Sequence, residues 1–340
     1  MLRVSIAGGS GFAGGELLRL LLSHPEVELG QVTSSRLAGK PVTRAHPNLR
    51  GFTNLKFSPL DALEPCDVLF MGLPHGSASR NWERFKTLAP RTIDLSADFR
   101  LRDEALHRRF YPDTPYRDHD FVYGMAELHR EEIRKALRVA CAGCNATAAL
   151  LALHPLYHAD AVLAEWTVVD IKAGSSEAGH RAGEASHHPL RSGCLRSFKP
   201  TGHRHAAEVM QELGAVEIHF SATAVEPVRG VLATCQVFLK EDLAEKEIWK
   251  LYREYYGEEP FIRIVKERDG LYRYPEPKIL MGTNFCDIGF ERDASSRRVV
   301  VISAIDNLMK GAAGQAVQNL NLMCGFPERT ALSFPGLHPV

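Results

Sequence analysis

The sequence predicts two parts of different class. The first half reads as α/β, built on a doubly wound parallel sheet, and the second as α+β, with a mainly antiparallel sheet. Three observations predict this. A strand-like run at residues 2–7 meets a cluster of glycines and then a helix-like stretch. Short apolar runs go on alternating with helical stretches as far as Leu153. From Glu217 onward, strand-like runs follow one another with few helices between them, the pattern of neighbouring antiparallel strands. At 340 residues the chain has room for two separate cores.

Residues 2–7, Leu-Arg-Val-Ser-Ile-Ala, make a short, mainly apolar run consistent with a buried parallel strand. Gly8, Gly11 and Gly14 follow, and then the helix-like run 16–22. Glycines at that spacing let the backbone turn sharply and approach a pyrophosphate, which then meets the helix N-terminus. Gly8, Ser10, Gly11, Phe12, Ala13 and Gly14 are therefore candidate dinucleotide contacts, with Gly9 unplaced. The second strand, 28–33, would close on Asp or Glu if it held a free ribose 2′-hydroxyl. It closes instead on Ser34, Ser35 and Arg36. Two hydroxyls and a guanidinium suit a 2′-phosphate, so the expected cofactor is NADP(H). Residues 67–73 and 91–95 read as further strands, with a helix at 78–88 between them. Arg100 falls after a strand's carboxyl end, where doubly wound sheets place ligands, and is a candidate for an anionic substrate group. Residues 111–124, rich in Pro, Asp and Tyr, read as a long loop.

Residues 139–150 carry Gly143-Cys144 between an apolar run and an Ala/Leu helix. A cysteine at a helix N-terminus meets free N–H groups and the helix dipole, which favour the thiolate. The thiolate is the form that attacks a carbonyl carbon. A buried structural cysteine is the alternative, and Cys141-x-x-Cys144 also allows half a zinc site or a redox pair. Residues 164–171 read as a strand leading to Lys172 and the small, hydroxyl-rich run around Ser175, which resembles an anion-binding loop. Between Lys172 and His205 there are six Lys/Arg and five His against two Glu. In a chain of zero formal net charge this is a local basic concentration, suited to an acidic partner through Arg181, Arg191, Arg196 and Lys199. His203 and His205 open a helix and are candidates for general acid/base work, with a metal site open from spacing alone. Strands at 217–225, 230–239, 261–266, 285–290 and 298–304 surround a helix at 242–256. Small and apolar residues at 313, 316, 317, 320 and 323 form a helical stripe expected to pack back on the first part, bringing Asn307 within reach of the cofactor.

Composition narrows the class. Apolar content of 45% and charged content of 24% are ordinary for a soluble globular chain. The charge balance gives no basic footprint for nucleic acid. The amino terminus lacks signal-peptide organisation, and no apolar run reaches membrane-spanning length. Seven scattered cysteines fit a reducing cytoplasm.

A dinucleotide turn, a helix-capping cysteine and a histidine together point to thiolate attack on an acyl phosphate, followed by hydride transfer. The phosphate would need cations and N–H donors nearby. Over nearly the whole chain the residues resemble the N-acetyl-γ-glutamyl-phosphate reductase family. The resemblance is carried by Gly8-x-x-Gly11-x-x-Gly14-x-Glu16, Ser34-Ser35-Arg36, the run Asp94 to Arg100, Gly143-Cys144, His203-Arg204-His205-x-x-Glu208, and the run Asp306 to Ala316. It implies a Rossmann-type NADP-binding domain at 1–143 and 308–340, a semialdehyde-dehydrogenase-like α+β catalytic domain at 144–307, and a thioester mechanism. It implies Cys144 as nucleophile, His203 as acid/base, substrate contacts at His205 and Glu208, and cofactor contacts at 10–13, 34–36 and Asn307. It also implies a homo-oligomer, a tetramer by family resemblance. Gly-Cys-Asn-Ala-Thr at 143–147 departs from the arginine-pathway pattern and is most like the branch of lysine biosynthesis through α-aminoadipate, whose substrate rides on a small acidic amino-group carrier protein. The arginine-pathway enzyme is the runner-up, with one chain serving both pathways a further option. Aspartate-semialdehyde dehydrogenase shares the chemistry but not the His-Arg-His-x-x-Glu run. A catalytically inactive NADP-sensing regulator is the alternative of another class.

Overall fold

The structure is a computed structural model that describes residues 1–117 and 119–340. The chain divides into two units, residues 1–142 with 312–334, and residues 143–311 with 335–340. The sequence reading put 308–340 with the first unit. The last six residues belong to the second, where Gly336 lies close against Ile279 and Thr283, and His338 meets Tyr272.

In the first unit, strands β1 (Leu2–Ala7), β2 (Val27–Thr33), β3 (Phe57–Ser58), β4 (Val68–Met71), β5 (Arg91–Asp94), β6 (Val122–Gly124) and β7 (Arg138–Cys141) pair in the order β3-β2-β1-β4-β5-β7-β6. Every pairing is parallel. The strand order reverses between β1 and β4, the crevice where such sheets bind ligands. A sheet covered on both faces needs apolar residues without alternation, and all four residues of β4 are buried. The helices are α1 (Phe12–Leu21), α2 (Ser77–Arg80), α3 (Trp82–Leu88), α4 (Glu104–Phe110), α5 (Ala126–Lys135) and the late helix Gly314–Cys324. The helix expected at 78–88 is broken at Asn81, whose φ of −98° and ψ of 4° leave the helical region. The expected loop at 111–124 ends in the edge strand β6, too short to show a period. The helix Gly314–Cys324 packs on α1 and α5 as the apolar stripe predicts, but it is buried all round. Its amides are therefore hydrogen-bonded: Asn319 Nδ2 donates to Gly124 O at 2.9 Å, and Asn321 Oδ1 meets His24 Nε2 at 2.8 Å.

In the second unit, β8 (Val168–Ala173), β9 (Arg196–Lys199), β10 (His219–Ala224), β11 (Val231–Phe238), β12 (Ile262–Ile264), β13 (Cys286–Arg292) and β14 (Arg298–Ile305) form a sheet ordered β12-β13-β14-β11-β8-β10-β9. It is mixed. The β12–β13 and β8–β10 pairs are parallel and the other four antiparallel. Alternation gives it one closed and one open face. Ile171, Ala233 and Ser303 face α6 (Cys144–His158), and Ser303 Oγ donates to Ala148 O at 2.6 Å. Asp170, Thr234 and Ile302 point the other way and are half-buried. Apart from its two ends, α6 is buried nearly all round, which explains its Ala/Leu composition. The short α7 (His188–Arg191), α8 (His205–Leu213) and α9 (Glu245–Tyr256) complete the unit. Tyr256 of α9 donates its hydroxyl to Leu151 O at 2.9 Å. β9, exposed throughout at the sheet edge, lies inside the basic segment, whose sequence carries no strand signal. Among the described residues, no helix is long and apolar enough to cross a membrane.

Candidate active site

The glycine turn of the first unit shows why each glycine is there. Gly8 has φ +89°, and a Cβ on it would meet Gly72 O at 2.5 Å. A Cβ on Gly9 would strike Val32 Cγ1 at 2.2 Å, and one on Gly14 would strike Gly9 Cα at 2.7 Å. Gly9, Gly11 and Gly14 thus spell G-x-G-x-x-G, the reading missed when Gly9 was left unplaced. Gly11 is the opposite case, because nothing lies within 4 Å of its Cβ position. It stands at the N-terminus of α1, which has no side-chain cap. Open space beside helical N–H groups fits a pyrophosphate, so the residues present suit a dinucleotide. Ser34 is buried and donates to Ser10 Oγ at 2.9 Å, bracing the turn, whereas Ser35 and Arg36 are exposed at the end of β2. His46, which no motif announces, hydrogen-bonds through Nε2 to Gly9 O at 2.8 Å and lies against Gly15.

At the carboxyl end of β5, Asp98 accepts from Gly76 N at 2.6 Å and Ser79 N at 2.9 Å. Arg100 is nearly buried and donates to Leu95 O at 3.0 Å. Burial pushes Asp94 up to about 7, with Asp98 adding to the rise and Ser96 and Arg100 opposing it. Asp94 and Asp98 are thus part of the frame of this turn. Cys141 is buried in β7, takes an N–H from Asn319 at 3.6 Å, and is pushed by burial to about 12. A buried thiol so held disfavours the thiolate, which counts against the Cys141–Cys144 redox reading. Among the described residues, no group of three or more His, Cys, Asp or Glu could hold a metal ion.

Cys144 is the first residue of α6, capped by Gly143 in extended conformation. Its sulfur is half-buried and donates to Asn145 Oδ1 at 3.6 Å, and Asn145 Nδ2 donates to Glu177 Oε2 at 3.3 Å. Glu208 is fully buried, accepts from Gly143 N at 2.8 Å through Oε2, and has Oε1 3.9 Å from His205 Nε2. With no exposed surface, this carboxylate ties α8 to the start of α6. His203 and His205 come together, with ring centroids 4.9 Å apart. His203 is stacked on Phe220 and takes the His205 N–H on Nδ1 at 3.1 Å. Burial, with Arg204 and Lys199, lowers it to about 4, so it is neutral near pH 7.

Four further candidates are placed as follows. Lys172 lies on the open face of the sheet, away from α6, and its Nζ binds Asp170 at 2.7 Å and Thr234 at 3.1 Å. The loop at Ser175 is not an anion nest. The N–H groups of Gly174, Ser175 and Ser176 are each bonded at 2.9 Å, to the carbonyls of Gly230, Pro227 and Val228. Asn307 straps that loop, with Nδ2 on Ser176 Oγ and Oδ1 on Gly230 N, both at 2.8 Å. Its amide is thus already engaged inside the second unit. Arg191 is half-buried and turned inward, with its electrostatic partner Glu177, while Arg181, Arg196 and Lys199 are exposed.

Comparison with known proteins agrees with this geometry. A family described as the semialdehyde dehydrogenase NAD-binding domain matches residues 3–136, and the semialdehyde dehydrogenase dimerisation domain matches residues 144–307. The LysW-L-2-aminoadipate 6-phosphate reductase of Deinococcus radiodurans is 52% identical, over 99% of this chain and 98% of its own. The LysW-L-2-aminoadipate/LysW-L-glutamate phosphate reductase of Sulfurisphaera tokodaii is 45% identical over 100% of both chains. An aspartate semialdehyde dehydrogenase structure from Francisella tularensis shares the fold, with a TM-score of 0.69 at 16% identity, over 95% of this chain and 100% of that one. With a nicotinamide-dinucleotide turn, a cysteine heading a buried helix and full-length relatives of one kind, the chain belongs to the semialdehyde dehydrogenase family, in its branch of LysW-aminoadipate 6-phosphate reductases.

Proposed function

We propose that this chain reduces LysW-linked L-2-aminoadipate 6-phosphate to the semialdehyde, releasing phosphate, in lysine biosynthesis through α-aminoadipate. The observation that carries the chemistry is Cys144 at the N-terminus of a 15-residue helix, with the Glu208 carboxylate holding Gly143 directly before it. The names of the full-length relatives support the substrate.

Helix N–H groups stabilise the Cys144 thiolate as it attacks the acyl carbon. The carbon–sulfur bond forms, the carbon–oxygen bond to phosphate breaks, and a thioester remains on Cys144. NADPH, when bound at the glycine turn, supplies the hydride that reduces this acyl group to the aldehyde level. The sulfur then leaves as thiolate and the aldehyde is released. The proton is handled at the His203–His205 pair. His205 is the better donor and acceptor, because Glu208 stands behind its Nε2, whereas His203 is held neutral by burial. Preference for NADP(H) over NAD(H) rests on exposed Ser35 and Arg36, with no carboxylate at the end of β2. The exposed Arg181, Arg196 and Lys199 suit an acidic carrier protein. The assembly is a homo-oligomer and the compartment the cytoplasm. Activity on LysW-linked glutamate is the second reading, favoured by the name of the S. tokodaii relative.

The test is NADP⁺ reduction with phosphate and three aldehydes: carrier-linked aminoadipate semialdehyde, carrier-linked glutamate semialdehyde and free N-acetyl-glutamate semialdehyde. The expected result is a large preference for the first, lost on charge reversal of Arg181 and Arg196, with Cys144→Ala inactive. Equal turnover of the free acetylated aldehyde would move the chain to the arginine pathway. An active Cys144→Ala would overturn the mechanism.

A further inference from the structure

One carboxylate near the nucleophile has no part in the steps above. Glu177 lies in the short turn Ser175–Ala178, and its Oε2 takes a hydrogen bond from Asn145 Nδ2 at 3.3 Å. Asn145 in turn presents Oδ1 to the Cys144 sulfur at 3.6 Å. Asn145 is fully buried, so its amide has few other ways to be satisfied.

The chemistry of the three groups fixes their polarity. An ionised carboxylate only accepts hydrogen bonds, so Asn145 must turn its NH₂ toward Glu177. The amide oxygen is then left facing the sulfur. An oxygen there can accept from S–H but can give nothing to S⁻. It therefore opposes the helix N-terminus, which favours the thiolate. From this geometry we propose that Glu177 is a positioning residue that orients the Asn145 amide, so that the resting nucleophile is held as a thiol until the substrate and the histidine pair draw its proton away. This rests on Cys144 being the nucleophile.

The surroundings keep Glu177 able to act. Burial raises its carboxyl above the usual range, while Asn145, Arg191 and Arg204 favour the charged form. Arg191 comes from α7 and Arg204 from the residue before α8. Of the other titratable groups here, Glu208 is bonded to Gly143, directly before Cys144, and His205 Nε2 lies 3.9 Å from that carboxylate. Lys310 is on the turn whose Gly311 touches Cys144. The turn carrying Glu177 is itself tied down, since Ser176 is strapped by Asn307 and by Val228 O.

The test measures alkylation of Cys144 by iodoacetamide, read on its own peptide by mass spectrometry from pH 6 to 10, with half-buried Cys194 as internal reference. The rate follows the thiolate fraction. Glu177→Gln frees the Asn145 amide to turn its N–H groups to the sulfur. We expect the rate at pH 7 to rise about three- to tenfold, a shift of the profile by up to about one pH unit. Asn145→Ala removes the acceptor and should give a similar rise. Glu177→Gln added to Asn145→Ala should then change nothing more, which separates orientation through Asn145 from direct repulsion by the carboxylate. An unchanged profile in Glu177→Gln, or a full effect of Glu177→Gln in the Asn145→Ala background, would overturn the proposal. If Glu177→Gln does not fold, Asn145→Ala decides alone, since a profile without a rise overturns it. Retained reductase activity in Cys144→Ala would instead sink the nucleophile assignment and leave the alkylation comparison readable.

Discussion

Gly311→Ala should disable this enzyme while adding only one methyl group. Gly311 lies in the turn Met309–Ala313, which makes i-to-i+5 bonds and runs beside the start of α6. A Cβ at 311 would stand 2.6 Å from Cys144 Cβ, 3.1 Å from Cys144 Cα and 3.3 Å from Ile305 Cδ1. Gly311 is outside the left-handed region, so the penalty is steric. Unstrained carbons keep about 3.5–4.0 Å apart, so the turn or the first residue of α6 must move by about 1 Å. Overpacking of this kind costs about 1–3 kcal/mol. At about 2–4 °C per kcal/mol, for a unit of this size, Tm should fall by about 2–12 °C. A nucleophile displaced by about 1 Å loses about 10²-fold in rate. Steady-state turnover of the semialdehyde with NADP⁺ and phosphate, beside a thermal melt, measures both. Gly183→Ala is the control, because nothing lies within 4 Å of its Cβ position. Turnover of Gly311→Ala within twofold of wild type would refute the reasoning, since the nucleophile would then tolerate the shift.

Two other outcomes follow from buried carboxylates. Glu208→Ala leaves the Gly143 N–H without its acceptor and should cost about 1–3 kcal/mol, whereas Glu208→Gln keeps an acceptor oxygen and should retain most of the stability but lose turnover; equal urea midpoints for the two variants would contradict this. Asp94 is raised from 3.8 to about 7, so between those values the folded state holds a proton that the unfolded state has released. Its contribution is therefore complete below about pH 4 and lost as pH rises toward 7, on the order of 4 kcal/mol in all. Asn at 94 can still accept from Ser96 N and can donate to Ser96 Oγ. Urea melts at pH 5 and pH 8 should show a smaller loss for Asp94→Asn than for wild type, and parallel losses would count against the buried acid.

The strand, glycine turn and helix at the amino terminus were legible because their cause is local. β1 is mainly apolar, Gly8, Gly9 and Gly14 each stand where a Cβ would collide, and α1 follows at once. The helix start at Cys144 was legible for the same reason, since Gly143 stands directly before a run of Ala and Leu. His46 was not, because its bond to Gly9 joins residues 37 apart and leaves no pattern in the chain. Nor was Glu177, whose link to Asn145 spans 32 residues. Lys172 shows the same limit from the other side. Its neighbours in sequence suggested a site, but the period of two along β8 sends it to the face opposite Ile171 and Ala173.

By itself the sequence determined the class of each half, the dinucleotide turn and the cysteine at the start of α6, because each is set by residues adjacent in the chain. Tertiary structure alone decided which polar groups are free to act. It buried Glu208 with its Oε2 on Gly143 N, engaged the amide of Asn307 on Ser176 and Gly230, and turned Arg191 inward beside Glu177. The physical reason is that hydrogen-bond satisfaction and burial are properties of what packs around a group, and those neighbours lie tens of residues away in the chain.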